Sequence, residues 1–237
     1  MILNKEIIQI EKVFLSRDMG NVLNGISLQL FSRRIGIIGN NGSGKSSLVR
    51  LFNGLLKPDS GSVIVHGINT IQNPRSLPSL VGFVFQNPDH QIIFPTVGEE
   101  LMFGLLQTNV PKKDAEKRVF RILEDHSIRN WFEMPTHYLS EGQKHLLCIL
   151  SVLVMNPKVI IIDEALTNID MPTRHQLLEI INGLKQQVVL ISHDLDVFKN
   201  FDYVIWLDQG LVEMEGPPKA VVDAYKTACL GSERSSL

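Results

Sequence analysis

Residues 39–47 read Gly-Asn-Asn-Gly-Ser-Gly-Lys-Ser-Ser, between the apolar run Arg34-Ile35-Gly36-Ile37-Ile38 and a helix-like run from Leu48 to Leu56. Gly39, Gly44, Lys45 and Ser46 satisfy the spacing G-x-x-x-x-G-K-[ST] in the strand-loop-helix context that marks a phosphate-binding loop. Gly39, Gly42 and Gly44 free the backbone from Cβ clashes, so successive N–H groups from Asn40 and Asn41 through Ser43 to Ser47 can turn inward onto phosphate oxygens. Lys45 adds a cation near the β- and γ-phosphates, Ser46 a hydroxyl ligand for Mg²⁺, and the following helix its positive end. The stretch predicts nucleotide phosphate binding.

The chain has 237 residues, of which 44% are hydrophobic and 20% charged, the balance of a globular domain with a sizeable core and one satellite subdomain. A net charge of −2 gives no electrostatic footprint for nucleic acid, and none is expected as a partner. Cys148 and Cys229 lie far apart, which fits free thiols in a reducing cytoplasm. The N-terminal residues lack the apolar core and cleavage site of a secretory signal. The most apolar window, Leu146 to Met155, is about half the ~20 residues needed to cross a bilayer, so a membrane connection is expected to run through a partner.

Strands are expected at Ile7 to Val13 and Ile26 to Leu30, around the turn-rich Asp18-Met19-Gly20-Asn21, then at Ser62 to His66 and Leu80 to Phe85. From Asn87 to about Met155 the periodicity is helical, with candidates at Val97 to Leu106 and Lys112 to His126. Ala115, Val119, Ile122 and Leu123 share one face of the second. Ser140 is placed to cap a further helix to Met155. Val159 to Ile162 and Val188 to Ile191 read as buried parallel strands. Met171 to Leu184 reads as a helix, Tyr203 to Leu207 with Leu211 to Met214 as a closing hairpin, and Ala220 to Ala228 as a terminal helix.

Two further stretches carry chemistry. Val159-Ile160-Ile161-Ile162-Asp163-Glu164 is an apolar strand ending in adjacent carboxylates, at the strand end where ligands of α/β folds bind. Asp163 is suited to Mg²⁺, through water, and Glu164 to the attacking water as general base or water-orienting group. Leu139-Ser140-Glu141-Gly142-Gln143 heads its own helix, where a hydroxyl and a Gly N–H form either an anion site or an ordinary cap.

The ordered set of GNNGSGKS, Gln86 after a strand, LSEGQ, IIIDEA, Asp170 and His193 in ISHD resembles an ATP-binding-cassette ATPase over nearly the whole chain. The resemblance implies an α/β fold: a P-loop NTPase (RecA-like) core with an inserted helical subdomain and N-terminal antiparallel β strands. The core would occupy 1–86 and 156–230, the helical subdomain about 87–155, and 231–237 a frayed tail. It implies ATP hydrolysis with Mg²⁺ by two cassettes closed head to tail. Ser140, Gly142 and Gln143 of one subunit would then serve the γ-phosphate on the other's phosphate loop. Gln86 would touch Mg²⁺ or the attacking water and relay to the subdomain, Asp170 would lie in the loop crossing the dimer, and His193 would contact the γ-phosphate. Three positions depart from the family pattern. Glu141 replaces a Gly, Ala165 follows the carboxylates in place of Pro, and Arg17 stands where an aromatic residue usually stacks on adenine, with Phe14 as the alternative.

The run Val84-Phe85-Gln86-Asn87-Pro88-Asp89-His90-Gln91 and the following Phe94-Pro95-Thr96-Val97 resemble the energy-coupling-factor (ECF) group, and within it the biotin-transport ATPases. That implies a transmembrane T component docked beside the Gln86 loop, where Ile92, Ile93 and Phe94 suit an amphipathic partner helix or form subdomain core. It also implies a separate substrate-binding S component and a peripheral place on the cytoplasmic membrane face. A second ATPase subunit is expected, with a homodimer favoured because Glu164, Ser140 and Gly142 all occur in one chain. Two other readings compete: a soluble cassette of the iron-sulfur or DNA-repair type, and a non-hydrolysing nucleotide switch, against which Glu164 and His193 weigh.

Overall fold

A computed structural model of the protein describes residues 8–17, 20–167 and 169–234. In chain order the elements are β1 (Ile8–Arg17), β2 (Gly20–Leu30), β3 (Arg34–Ile38), α1 (Lys45–Phe52), β4 (Ser60–Val65), β5 (Ile68–Asn69), β6 (Val81–Val84), α2 (Val97–Gln107), α3 (Lys112–Asp125), α4 (Glu141–Leu153), β7 (Val159–Asp163), α5 (Met171–Gly183), β8 (Gln187–Ile191), β9 (Tyr203–Asp208), β10 (Leu211–Gly216) and α6 (Pro218–Arg234). They gather into two units, Met1–Pro78 with Lys185–Leu237, and Ser79–Leu184.

The first unit holds an antiparallel sheet in the order β2-β1-β4-β5. β1 and β2 are each longer than the alternation of their sequences suggests, because both carry bulges. The buried set of β1 passes from Ile8 and Ile10 to Val13 and Leu15, changing parity at Lys12, whose φ is 45°. That of β2 passes from Leu23 to Ile26, Leu28 and Leu30, changing at Gly25. An extra residue at each point keeps one face on the core while the period-2 pattern slips. Ile7 of the expected first strand and Asp18 and Met19 of the expected turn lie outside the described residues.

The same unit holds strands in the order β10-β9-β3-β8, with β3 parallel to β8 and β9, and β9 antiparallel to β10. All five residues of β3 and of β8 are buried, as expected for strands covered on both faces. α1 packs on β4 and β8 through Leu48, Val49, Leu51 and Phe52, and it stops at Phe52, short of the expected Leu56, with Leu55 left exposed. α6 packs on β9 and β10. It starts at Pro218, whose missing N–H costs nothing in a first turn. It runs on to Arg234 and so takes in residues 231–234 of the expected frayed tail; 235–237 lie outside the described residues.

In the second unit β6 and β7 form a parallel pair, and α4 packs against α2, α5 and β6. α3 buries Ala115, Val119 and Leu123 on one stripe. This unit is wider than the 87–155 insertion, since it includes both strands and α5. Gly82 of β6 has no room for a side chain, because an added Cβ would stand 2.1 Å from Val152 Cγ1 of α4, and Thr173 of α5 closes on Gly142 in the same way. Among the described residues no helix is long and apolar enough to cross a membrane.

Gly36 of β3 lies under the fully buried Phe198, and an added Cβ would stand 2.5 Å from its Cδ1. Gly36→Ala is expected to destabilise the chain by ~1–3 kcal/mol through overpacking, read from denaturant unfolding. Phe198→Leu in that background should recover part of the loss. Unfolding of Gly36→Ala at the parental midpoint would contradict the described contact.

Candidate functional site

The phosphate loop leaves β3 at Gly39, whose φ of 145° and surroundings admit no side chain: an added Cβ would stand 2.0 Å from the Leu207 carbonyl oxygen. Gly42 and Gly44 also take positive φ, at 79° and 101°. Lys45 is buried, and its Nζ donates to the carbonyls of Gly39 (2.9 Å) and Asn40 (2.8 Å), which also brings Ser43 N–H onto Asn40 O at 3.1 Å. α1 begins at Lys45 with no side-chain cap and no acidic residue in its first turn. The caps of α2, α4 and α5 are, by contrast, the side chains of Thr96, Ser140 and Asp170. Ser43 Oγ is buried and, among the described residues, has no hydrogen-bond partner. An uncapped helix N-terminus, a buried ammonium and an unsatisfied hydroxyl form a donor set that fits a phosphate anion.

The loop is braced by the C-terminal hairpin. Gly210 N–H donates to Ser43 O at 3.1 Å, Asn24 N–H to Gly210 O at 2.9 Å, and Asn24 Nδ2 to Gln209 O at 3.0 Å. Tyr225 Oη of α6 donates to Asn40 Oδ1 at 3.1 Å. No sequence signal marks these contacts, because they span about the length of the chain. Ser46 and Ser47, on the first turn of α1, are half-buried. His193 follows β8 by two residues, and β8 pairs with β3 at Ile37↔Ile191, so His193 and the phosphate loop occupy the C-terminal ends of adjacent parallel strands. Its neighbours are pinned: Asp194 N–H donates to Ser192 Oγ, and Asp194 Oδ1 accepts from Asp196 N–H. Arg17 ends β1 opposite Gly20 and is exposed, while the Phe14 ring lies over Gly25.

The second unit carries the remaining residues. β6 pairs with β7 at Val84↔Ile162, which puts Gln86, two residues on, at the same strand end as Asp163 and Glu164. Asp163 closes β7 and is buried. Glu164 takes φ of 54°, the left-handed region that a residue with a Cβ enters only at a cost of order 1–3 kcal/mol. Its carbonyl accepts from Thr167 Oγ1 at 2.9 Å, which holds the turn. Backbone strain of this kind clusters at functional sites.

Ser140 heads α4 in a reciprocal capping box: Gln143 N–H donates to Ser140 Oγ at 3.3 Å, and Ser140 N–H to Gln143 Oε1 at 2.9 Å. In the single chain both side chains therefore serve the cap. Gly142 in the first turn of α4 meets Thr173 in the first turn of α5, where an added Cβ would be 2.3 Å from Thr173 Cγ2. The two helix N-termini, with Ser140 and Asp170 as their caps, are thus held side by side. Thr173 N–H on Asp170 Oδ1 (3.0 Å), followed by the Thr173 hydroxyl, holds the Asp170 carboxyl below its ordinary pKa. This cap is complete above the ordinary carboxylate range and is lost as pH falls through the lowered value.

Three contacts tie the Gln86 loop to α4. His145 is buried and spans two carbonyls, Nδ1 to Glu141 O at 2.8 Å and Nε2 to Gln86 O at 3.4 Å. Lys144 Nζ reaches Asp89 at 2.8 Å and Glu141 at 3.4 Å, and the hydrogen bond to Asp89 raises its pKa. Gln91 accepts from Phe85 N–H through Oε1 (3.1 Å) and donates through Nε2 to Cys148 O (3.0 Å) and Ser151 Oγ (3.2 Å). Gln91 belongs to the FQNPDHQ run, but the run alone did not reveal this use.

The ABC transporter family model matches residues 23–167. The chain is 42% identical over 221 residues to the biotin transport ATP-binding protein BioM of Rhodobacter capsulatus, covering 93% of this chain and 94% of the relative. It is 37% identical to the energy-coupling factor transporter ATP-binding protein EcfA1 of Bacillus subtilis, covering 86% and 75%. Among solved structures, cbiO1 of Clostridium perfringens, part of the transporter complex cbiONQ, aligns with a TM-score of 0.82 at 31% identity, covering 94% of this chain and 92% of that one. The ADP- and Pi-bound dimeric cassette MJ0796 shares the fold, with a TM-score of 0.79 at 24% identity over 89% and 98%. With its phosphate loop built on a P-loop NTPase fold, the chain belongs to the ABC transporter family, as an ATPase cassette of the type found in ECF and biotin transporters.

Proposed function

We propose that the protein powers an ECF-type importer of a vitamin, with biotin favoured, or of a metal ion, by binding and hydrolysing ATP at the cytoplasmic membrane face. The observation that carries the reading is the uncapped start of α1 beside buried Lys45 and Ser43, a donor set suited to phosphate. In this reading Lys45 and the loop N–H groups hold the β- and γ-phosphates. Ser46 and Asp163 hold Mg²⁺, with Gln86 completing its surroundings, which fits a hard cation that takes one or two carboxylates plus substrate phosphates. Glu164 takes a proton from the attacking water or orients it, and His193 contacts the γ-phosphate. Ser140, Gly142 and Gln143 serve the γ-phosphate of a second copy, and Asp170 lies at that subunit contact. Arg17 is the candidate to stack on adenine.

Coupling to a membrane component is supported by the apolar surface of the second unit. Ile93 is 65% exposed, Phe103 and Leu106 are exposed, and Phe94 packs on Phe103 at 5.0 Å. The loop that carries Ile93 is held rigidly. Glu100, itself buried, accepts from Ile93 N–H (2.9 Å) and Phe94 N–H (3.0 Å), and Thr136 Oγ1 donates to Phe94 O (3.0 Å). A fixed apolar edge is what an amphipathic helix of a T component would dock on. Similarity to BioM and EcfA1, named as ATP-binding proteins of transporters, supports a membrane partner, and in this reading a separate S component is the seat of the substrate.

Affinity purification from detergent-extracted membranes is expected to bring down a multispanning protein and, with it, a bound vitamin or metal ion. Recovery of the chain free of membrane proteins would favour a soluble cassette. Ile93→Asp, on an exposed residue, should lose the membrane protein while the free chain keeps its ATP turnover. Glu164→Gln is expected to cut turnover by roughly 10²-fold or more while ATP holds the chain as a dimer in gel filtration. Turnover at the parental rate would remove Glu164 from its role.

A further inference from the structure

Asn40 occupies a singular place in the phosphate loop. Its carbonyl accepts both the Lys45 ammonium and the Ser43 N–H, so its position sets where the cation and the next donor stand. Yet it sits among residues whose backbones are permissive, with Gly39 on one side and Gly42 close on the other. Its side chain is exposed, but it does not hang free: Tyr225 Oη donates to Asn40 Oδ1 at 3.1 Å. The tyrosine is itself oriented, its ring edge-on to Trp206 of β9 with centroids 5.4 Å apart and planes at 73°. Burial and a contact with Cys229 push the phenol up to about 12.

We propose that Tyr225 is a positioning residue for nucleotide: its hydroxyl fixes Asn40, and through the Asn40 carbonyl it sets Lys45 and Ser43 in place before the phosphates arrive. A loop ordered in advance spends less binding free energy on its own ordering, so the contact acts on affinity more than on the chemical step. The inference rests on the reading of residues 39–47 as a nucleotide phosphate site. It adds α6, the last helix of the chain, to the elements that determine nucleotide affinity.

The test is ADP binding in the presence of Mg²⁺, by titration calorimetry on the full chain. Tyr225→Phe keeps the ring against Trp206 and removes the hydroxyl, with its contacts to Asn40 and Cys229. It should raise the ADP Kd by roughly three- to tenfold, the size of one hydrogen bond, with the thermal midpoint unchanged. In steady state the ATP KM should rise while kcat at saturation stays within about twofold, the mark of a binding effect. Asn40→Ala should produce a similar loss, and adding Tyr225→Phe to it should cost nothing more, because the two residues act through one contact. Parental affinity in Tyr225→Phe, or full additivity of the two changes, would overturn the proposal. Absence of ADP binding by the parent chain would instead remove the phosphate-site reading on which it stands.

Discussion

The Lys45 ammonium lies between the carbonyls of Gly39 and Asn40, and the first unit is arranged so that it can. A buried lysine must be hydrogen-bonded or it discharges, and a loop that turns its N–H groups to one side leaves its carbonyls on the other. The loop therefore supplies cation and carbonyls together, each the partner of the other until a phosphate competes for the ammonium. That arrangement demands a backbone no ordinary residue could take at position 39, pressed against the Leu207 carbonyl of β9. The central strand β3, the hairpin β9–β10 and α6 all converge on this loop, and their packing holds the cradle in shape with α1 left uncapped toward the ligand.

The second unit follows a different logic. Its residues are organised around the N-terminus of α4, which meets α5 at Gly142 and the Gln86 loop at Lys144, His145 and, one turn further, Cys148 and Ser151. Three separate contacts with the Gln86 loop resist relative motion better than one, and the Glu100 carboxylate extends the same rigidity to the exposed Ile93 edge. A push on that edge would be carried to the head of α4 through hydrogen bonds and packed side chains instead of being absorbed by a loose loop. Glu164 is one of the non-glycine residues of this unit with a left-handed backbone, and the Thr167 turn holds it there directly after a fully buried strand.

Much of this was legible in the residues. The phosphate loop declared itself because its chemistry depends on residue types at fixed local spacing. The strands β3, β7 and β8 were visible as short apolar runs, and α3 as a stripe of Ala115, Val119, Ile122 and Leu123, of which all but the half-buried Ile122 are buried. The N-terminal strands were seen only in part, since the bulges at Lys12 and Gly25 shift the alternation by one residue and make a continuous strand look interrupted. The cap at Ser140 was equally local, and its side chain stands where the pattern placed it, whereas the capping of α5 by Asp170 emerged only from the structure.

Sequence alone pointed to the phosphate loop and to the adjacent carboxylates at the end of β7, because each is written in neighbouring residues, and to the family, because the order of several such short motifs along the chain is specific. Tertiary structure alone decided what holds them. Gly210 and Tyr225 reach the loop from the far end of the chain, Gly142 leaves the room that Thr173 fills, and Gln91 proves to be a clasp on α4. Contacts of this kind depend on which elements the fold brings side by side, and that follows from strand order and helix packing over the whole chain.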